Sequence, residues 1–239
     1  MCLTQLVILN IVITMPYRSC IFKPGEIYHI FNRSIAGFTI FSGVTYYRRF
    51  YELTDYYQFV KPELRFSLYL ELPHKARLNY ISQLKSTHHR LVEILAFSFM
   101  PNHFHFLLKE IQVGGISEFI KRLQNSYAKY LNARVKRTGA VFQSMFKGIH
   151  IESDELLLHV LRYIHLNPIT GLAIREFNEL GAYPWTSYPD YTDQRNNISF
   201  VNTSVIKGLM QYKDKLISFH EDQKDYQRML AQLKYLCME

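Results

Sequence analysis

Hydrophobic and polar positions along the chain repeat with two different periods, and the change of period marks its elements. Ile27 to Arg33 (IYHIFNR), Val92 to Phe99 and the run HFHFLLK from His103 are rich in aromatic and aliphatic residues over strand-like lengths. Pro101-Asn102 is a turn signal between the last two, so they are expected to pair antiparallel; Phe38 to Phe41 is expected to extend or hairpin from the first strand. Side chains alternate faces along a strand. His103, His105 and Leu107 therefore share one face, and Phe104, Phe106 and Leu108 the other.

Elsewhere the period is helical. Tyr46 to Val60 and Lys75 to Leu91 are mixed helices, separated by a Pro-bounded segment, KPELRFSLYLELPHK, to which the pattern assigns no element. Ile116, Phe119, Ile120, Leu123, Tyr127, Tyr130 and Leu131 recur at i, i+3, i+4 and i+7. They predict a long helix with Ser117 as its cap and Gly139 beyond its basic end. AVFQSMFKGIHI reads as a strand or extended loop. SDELLLHVLRYIHLNP reads as a helix capped by Ser153 and ending at Asn167, because a residue before proline is pushed out of helical geometry. On that helix Leu157, Val160, Leu161 and Ile164 form a docking stripe, while Tyr163 and Asn167, four apart, share a face at its edge. The tail from Phe200 is polar and helical in pattern.

Composition narrows the class. With 239 residues and 48% hydrophobic content, the chain supports one large domain with an appendage and is not of disordered type. Its formal charge is +8, and seven cations with no acidic residue fall between Phe119 and Ile151, so that stretch accounts for most of the excess. Tyr127, Tyr130, Phe142 and Phe146 are interleaved with those cations, a pattern suited to nucleic acid. The three cysteines are far apart and form neither a C-x-x-C pair nor a disulfide framework, which fits a reducing, cytoplasmic compartment. Leu3 to Met15 is apolar but too short to span a membrane and lacks a basic leader, so no membrane partner is expected.

Two imidazoles two apart on a strand are by themselves a weak metal signal. The spacing alone leaves open both satisfied core histidines and a ligand pair lacking its third member. Four ordered segments change this: YHIFNRS, MPNHFHFLL, YAKYLNARVKRTGAVFQSMFK and YIHLNP. Together, from about Ile21 to Tyr191, they resemble the IS200-like single-tyrosine transposases, and specifically the REP-associated tyrosine transposases. Met145 stands where that group usually has arginine.

The resemblance implies an α+β fold, a ferredoxin-like antiparallel sheet with helices packed on it, of the histidine-hydrophobe-histidine endonuclease type. It implies His103, His105 and Asn167 as ligands of Mg or Mn, and Tyr163 as a nucleophile that cleaves and rejoins single-stranded, hairpin-flanked DNA through a 5′-phosphotyrosine. Arg33, Lys121, Arg122, Lys129, Arg134, Lys136, Arg137 and Lys147 are expected to contact the DNA, with Tyr28, Phe31 and Phe142 as base contacts. A homodimer is compatible with the resemblance. So is a domesticated nucleic-acid-binding module that keeps the fold without the chemistry. The expected organisation is a start-site extension over Met1 to Thr14, a transposase domain over 15–195 and a helical tail over 196–239.

Overall fold

Four strands form one antiparallel sheet in the order β2-β3-β1-β4: β1 (Ile27–Arg33), β2 (Val92–Met100), β3 (His103–Glu110) and β4 (Lys147–His150). The computed structural model describes residues 20–60, 62–86, 90–195, 199–209 and 213–221. Helices α1 (Val44–Tyr57), α2 (Phe66–Glu71) and α3 (His74–Ser86) follow β1. Helix α4 (Gly115–Arg134) joins β3 to β4, and α5 (Asp154–Thr170) follows β4. This is the ferredoxin-like strand order, with β1 and β3 central and a helical crossover before β2 and before β4. Among the described residues three short helices follow: α6 (Tyr188–Tyr191), α7 (Ser204–Leu209) and α8 (Lys213–Glu221).

The alternation read from the sequence sets the layers. Tyr28, Ile30, Phe104, Phe106 and Leu108 face one way and join Phe50 and Leu53 of α1 and Phe119, Ile120 and Leu123 of α4 in the larger core. Leu107, with Leu95 and Ala96, faces the other way and meets Leu157, Val160, Leu161 and Ile164 of α5, the stripe expected from its sequence. Leu95 and Ala96 are consecutive yet belong to one cluster, because the β2–β3 register shifts between Ile94 and Ala96.

Several expectations need correction. Phe38 to Phe41 forms no strand; its Ile40 and Phe41 amides both donate to the Pro101 carbonyl, 2.8 and 3.0 Å, tying a loop to the β2–β3 turn. The Pro-bounded segment holds α2. Helix α4 is not capped by Ser117: the buried Glu110 carboxylate accepts from the Gly114 and Ile116 amides, 2.8 and 3.3 Å, where a negative charge suits a helix start. Gly115 is required there, since a Cβ would lie 2.1 Å from the Leu91 carbonyl. Ser153 does cap α5, accepting from the Leu156 amide.

Helix α5 runs past Asn167 to Thr170, with Pro168 inside it. Proline is tolerated this near the end because few intrahelical bonds remain to be lost. Helix α8 docks behind α5: buried Arg162 donates to the Phe219 carbonyl, 2.8 Å, and its guanidinium lies 4.3 Å from the Phe219 ring. His165 completes the contact, bonded to His220 at 3.0 Å and to Ser187 at 2.9 Å. Helices α7 and α8 lie within the span expected as a helical tail, while Met1 to Thr14 lies outside the described residues. Among the described residues, no helix is long and apolar enough to cross a membrane.

Candidate functional site

The face of β3 that carries His103 and His105 is completed by β1. In the register, Phe31 lies opposite His105 and Arg33 opposite His103, so all four project to the α5 side of the sheet. His29, two residues before Phe31, joins them: its Nε2 is 2.9 Å from His105 Nδ1, and the two rings stack at 5.1 Å. His103 Nδ1 is 2.6 Å from Asn102 Oδ1. Each histidine of the pair thus has Nδ1 engaged by a neighbour.

Helix α5 brings the remaining groups. The Tyr163 ring packs edge-on against His105, with ring centroids 5.4 Å apart, and lies 5.8 Å from His29. Asn167, one turn on, donates from Nδ2 to the Tyr163 carbonyl at 2.9 Å. Its side chain also hydrogen-bonds the His103 ring. Tyr163, Asn167, His103 and His105 therefore meet on one face, as the sequence reading required, with Asn167 as the link between helix and strand. His29 was missed. The quoted segment YHIFNRS contains it, and strand alternation puts it on the face of Phe31 and Arg33, but only the pairing with β3 shows that it reaches His105.

Burial keeps these imidazoles neutral. Desolvation lowers the His103 pKa to about 4, helped by the Arg33 charge and opposed by the Asn167 hydrogen bond. Desolvation also holds His105 well below the usual histidine value, with His29, His103 and Arg33 adding to it, and takes His29 to about 3. Neutral imidazole is the form that binds a metal. Among the described residues no three His, Cys, Asp or Glu side chains are grouped so as to hold a metal ion; the amide of Asn167 is the polar side chain that α5 brings to the His103 ring. Two imidazole nitrogens and an amide oxygen fit a borderline divalent ion such as Mn, and less firmly Mg.

The expected DNA contacts divide. By register Lys147 lies opposite Phe31, so it and Arg33 are on the imidazole face. Lys121, Arg122, Lys129 and Arg134 lie along α4, across the sheet. Lys136 and Arg137 sit in the turn after α4, which returns to β1 where the Ile35 amide donates to the Val141 carbonyl, 3.0 Å. The aromatics expected to stack on bases are mostly core: Tyr28, Tyr127, Phe142 and Phe146 are buried, and the Tyr127 hydroxyl donates to the Ile40 carbonyl at 2.6 Å.

Residues 57–167 match the family model described as "Transposase IS200 like". Over that span, a little under half of its length, the chain is similar to the IS200-like transposases. The matched span runs from the end of α1 through the histidine pair to Asn167, narrower than the resemblance read from the motifs, and leaves out β1 and His29. The chain is also similar to a solved structure of a REP-associated tyrosine transposase bound to a REP hairpin. That likeness has a TM-score of 0.50 at 12% identity and covers 80% of this chain and 96% of that one. At such identity it bears on the fold, which it supports as ferredoxin-like α+β. No curated protein matches the chain.

Proposed function

We propose that the chain nicks and rejoins single-stranded DNA beside a hairpin through a covalent link between Tyr163 and a 5′ phosphate. One observation supports this most: the Tyr163 ring is 5.4 Å from that of His105, and Asn167 hydrogen-bonds both the Tyr163 backbone and His103. A hydroxyl nucleophile and a neutral donor set within reach of one phosphate are what phosphodiester transfer needs. The Tyr163 oxygen attacks phosphorus, its proton passes to water, and the electron pair of the breaking bond leaves with the 3′ oxygen. The phosphotyrosine keeps the diester's energy, so a 3′ hydroxyl can later reverse the step without a nucleotide cofactor.

His103 and His105 would hold a divalent ion, Mn or Mg, through Nε2, and Asn167 would supply the amide oxygen. When bound, such an ion polarises the scissile phosphate and orients it. This requires His105 to carry its proton on Nδ1 and donate it to His29 Nε2, which assigns His29 the task of fixing the tautomer. Asn102 does the same for His103. Arg33 and Lys147, on the same face, would neutralise the flanking phosphates.

The test is a labelled hairpin with a single-stranded tail, incubated with the protein and Mn or Mg. An SDS-resistant adduct is expected from the wild type and none from Tyr163→Phe. An adduct that persists in Tyr163→Phe would remove the assignment. DNA binding without any adduct would leave a binding module.

A further inference from the structure

Six of the eight cations expected to contact DNA are not on the imidazole face, and four of them lie along α4. Between α1, α2 and α4 the structure has a groove of about 890 Å³, lined by Arg49, Arg65, Lys121, Arg122 and Lys129 and by no acidic residue. Glu118, one turn before, pairs with Lys121 at 3.4 Å and Arg122 at 2.7 Å, and Glu52 lies near Arg49. Five cations against two flanking carboxylates leave the groove positive.

Arg49 is preorganised. Its guanidinium lies 4.7 Å from the Tyr130 ring centroid and 5.3 Å from that of Phe66, and its buried Nε has no hydrogen-bond partner. The contacts continue along α4: Tyr130 meets Tyr46 at 6.1 Å, Arg134 lies 5.9 Å from Tyr46, and Arg137 lies 4.6 Å from Phe38. A cationic track thus runs from the turn beside the Arg33 end of β1 down α4 to the groove. From Arg134 to Lys121 it covers about 20 Å at 1.5 Å per helical residue.

The chemistry of the track selects its occupant. Single strands are held by bases stacked on aromatic faces. Here the Tyr130 and Phe66 rings carry the Arg49 guanidinium and the Tyr57 ring packs against Tyr56 and Phe66, so the groove offers its cations to phosphates rather than open aromatic faces to bases. We infer that the groove between α1, α2 and α4 is a second DNA site, holding the phosphate backbone of the hairpin's duplex stem while the tail lies on the imidazole face. This rests on the proposed DNA substrate and adds Arg49 and Arg65, neither of which the sequence singled out.

The test compares wild type with Arg65→Gln/Lys129→Gln, two exposed positions, by fluorescence anisotropy without metal. The probes are hairpins with one common tail and stems of about 4 or about 12 base pairs, since about 20 Å corresponds to roughly 6 pairs at 3.4 Å each. For the long stem the double variant is expected to bind more weakly, with a salt slope shallower by about 2. For the short stem affinity should be unchanged. Equal loss on both stems, or none on either, would overturn the groove as a stem site. A wild type that shows the stem-length effect but forms no adduct would instead overturn the Tyr163 chemistry and leave the groove standing.

Discussion

The two faces of β3 are built from alternate residues of one segment and behave as different materials. Phe104, Phe106 and Leu108 are fully buried against rings from α1, α4 and β2, and their own side chains have no polar atom to satisfy. His103 and His105, on the other side, carry ring nitrogens that must be matched one by one. The matching is incomplete, because the buried His29 Nδ1 has no partner. A buried donor or acceptor without a partner costs about 1–3 kcal/mol, so this face is shaped for something other than stability. The fold is secured on one side of the sheet, and the proposed chemistry lies on the other.

The sharpest way to break this division is Phe106→Ala. The ring is fully buried and lies 5.4 to 5.7 Å from the rings of Phe104, Phe99 and Phe119. Its removal is expected to cost about 3–5 kcal/mol in chemical denaturation. Below the transition, Mn affinity should hold; a proportional fall in both would mean that the faces are coupled.

The next effect is acid. Behind α5, desolvation lowers the pKa of the buried His220 to about 4, with the nearby Arg162 charge adding and the Leu216 carbonyl opposing, and holds His165 well below the usual value. Ser187, Tyr188 and Tyr191 also pack against the pair. In the unfolded chain these imidazoles take up protons near pH 6.5, while in the folded chain His220 stays neutral to about pH 4 and His165 is likewise held neutral below its usual range. The unfolded state therefore binds more protons in that window, and stability falls as pH drops through it, by about 3 kcal/mol for His220 alone. The imidazoles beside Tyr163 shift in the same direction. Denaturation midpoints from pH 7 to 4 check this, and a flat profile would contradict it.

Much of this was legible in the sequence because strand alternation is local. The facing of His103 and His105, the α5 stripe and the Ser153 cap need only neighbouring residues. What failed was non-local or context-bound. His29 becomes a site residue only when β1 pairs with β3, and Glu110 caps α4 from a preceding strand. Phe38 to Phe41 has strand composition but finds the Pro101 carbonyl before it finds a strand edge. Tyr127 looked like a stacking platform because aromatic residues among cations read the same whether they face solvent or core.

His29→Phe sharpens the comparison from the imidazole side. It removes the unpartnered Nδ1 but also the acceptor for His105 Nδ1, so the two costs largely cancel and stability should move by no more than about 1 kcal/mol. Without its acceptor, His105 is free to carry its proton on Nε2, the atom the metal needs. Loss of such a tautomer-fixing partner typically weakens metal binding about 10- to 100-fold. Calorimetric titration of the DNA-free protein with Mn reads this directly, and His29→Asn, which keeps an acceptor, should recover part of it. Equal Mn affinity in wild type and His29→Phe would show that His29 is filler.

The smallest effect compares the two helices that cover the sheet. Helix α4 is held at its start by Glu110, fully buried, whereas α5 is held by Ser153, exposed, with Asp154 and Glu155 in its first turn. Ser153→Ala leaves the Leu156 amide to water and should cost about 1 kcal/mol, the usual worth of a solvent-exposed cap. Tyr163 lies nearly three turns further on, below the anchors that Leu157, Val160 and Leu161 make on the sheet. Fraying of the first turn should stop at those anchors, leaving the rate of adduct formation at its wild-type value. A variant that loses adduct in step with stability would show that the imidazole face depends on its helix start as strictly as the aromatic face depends on its rings.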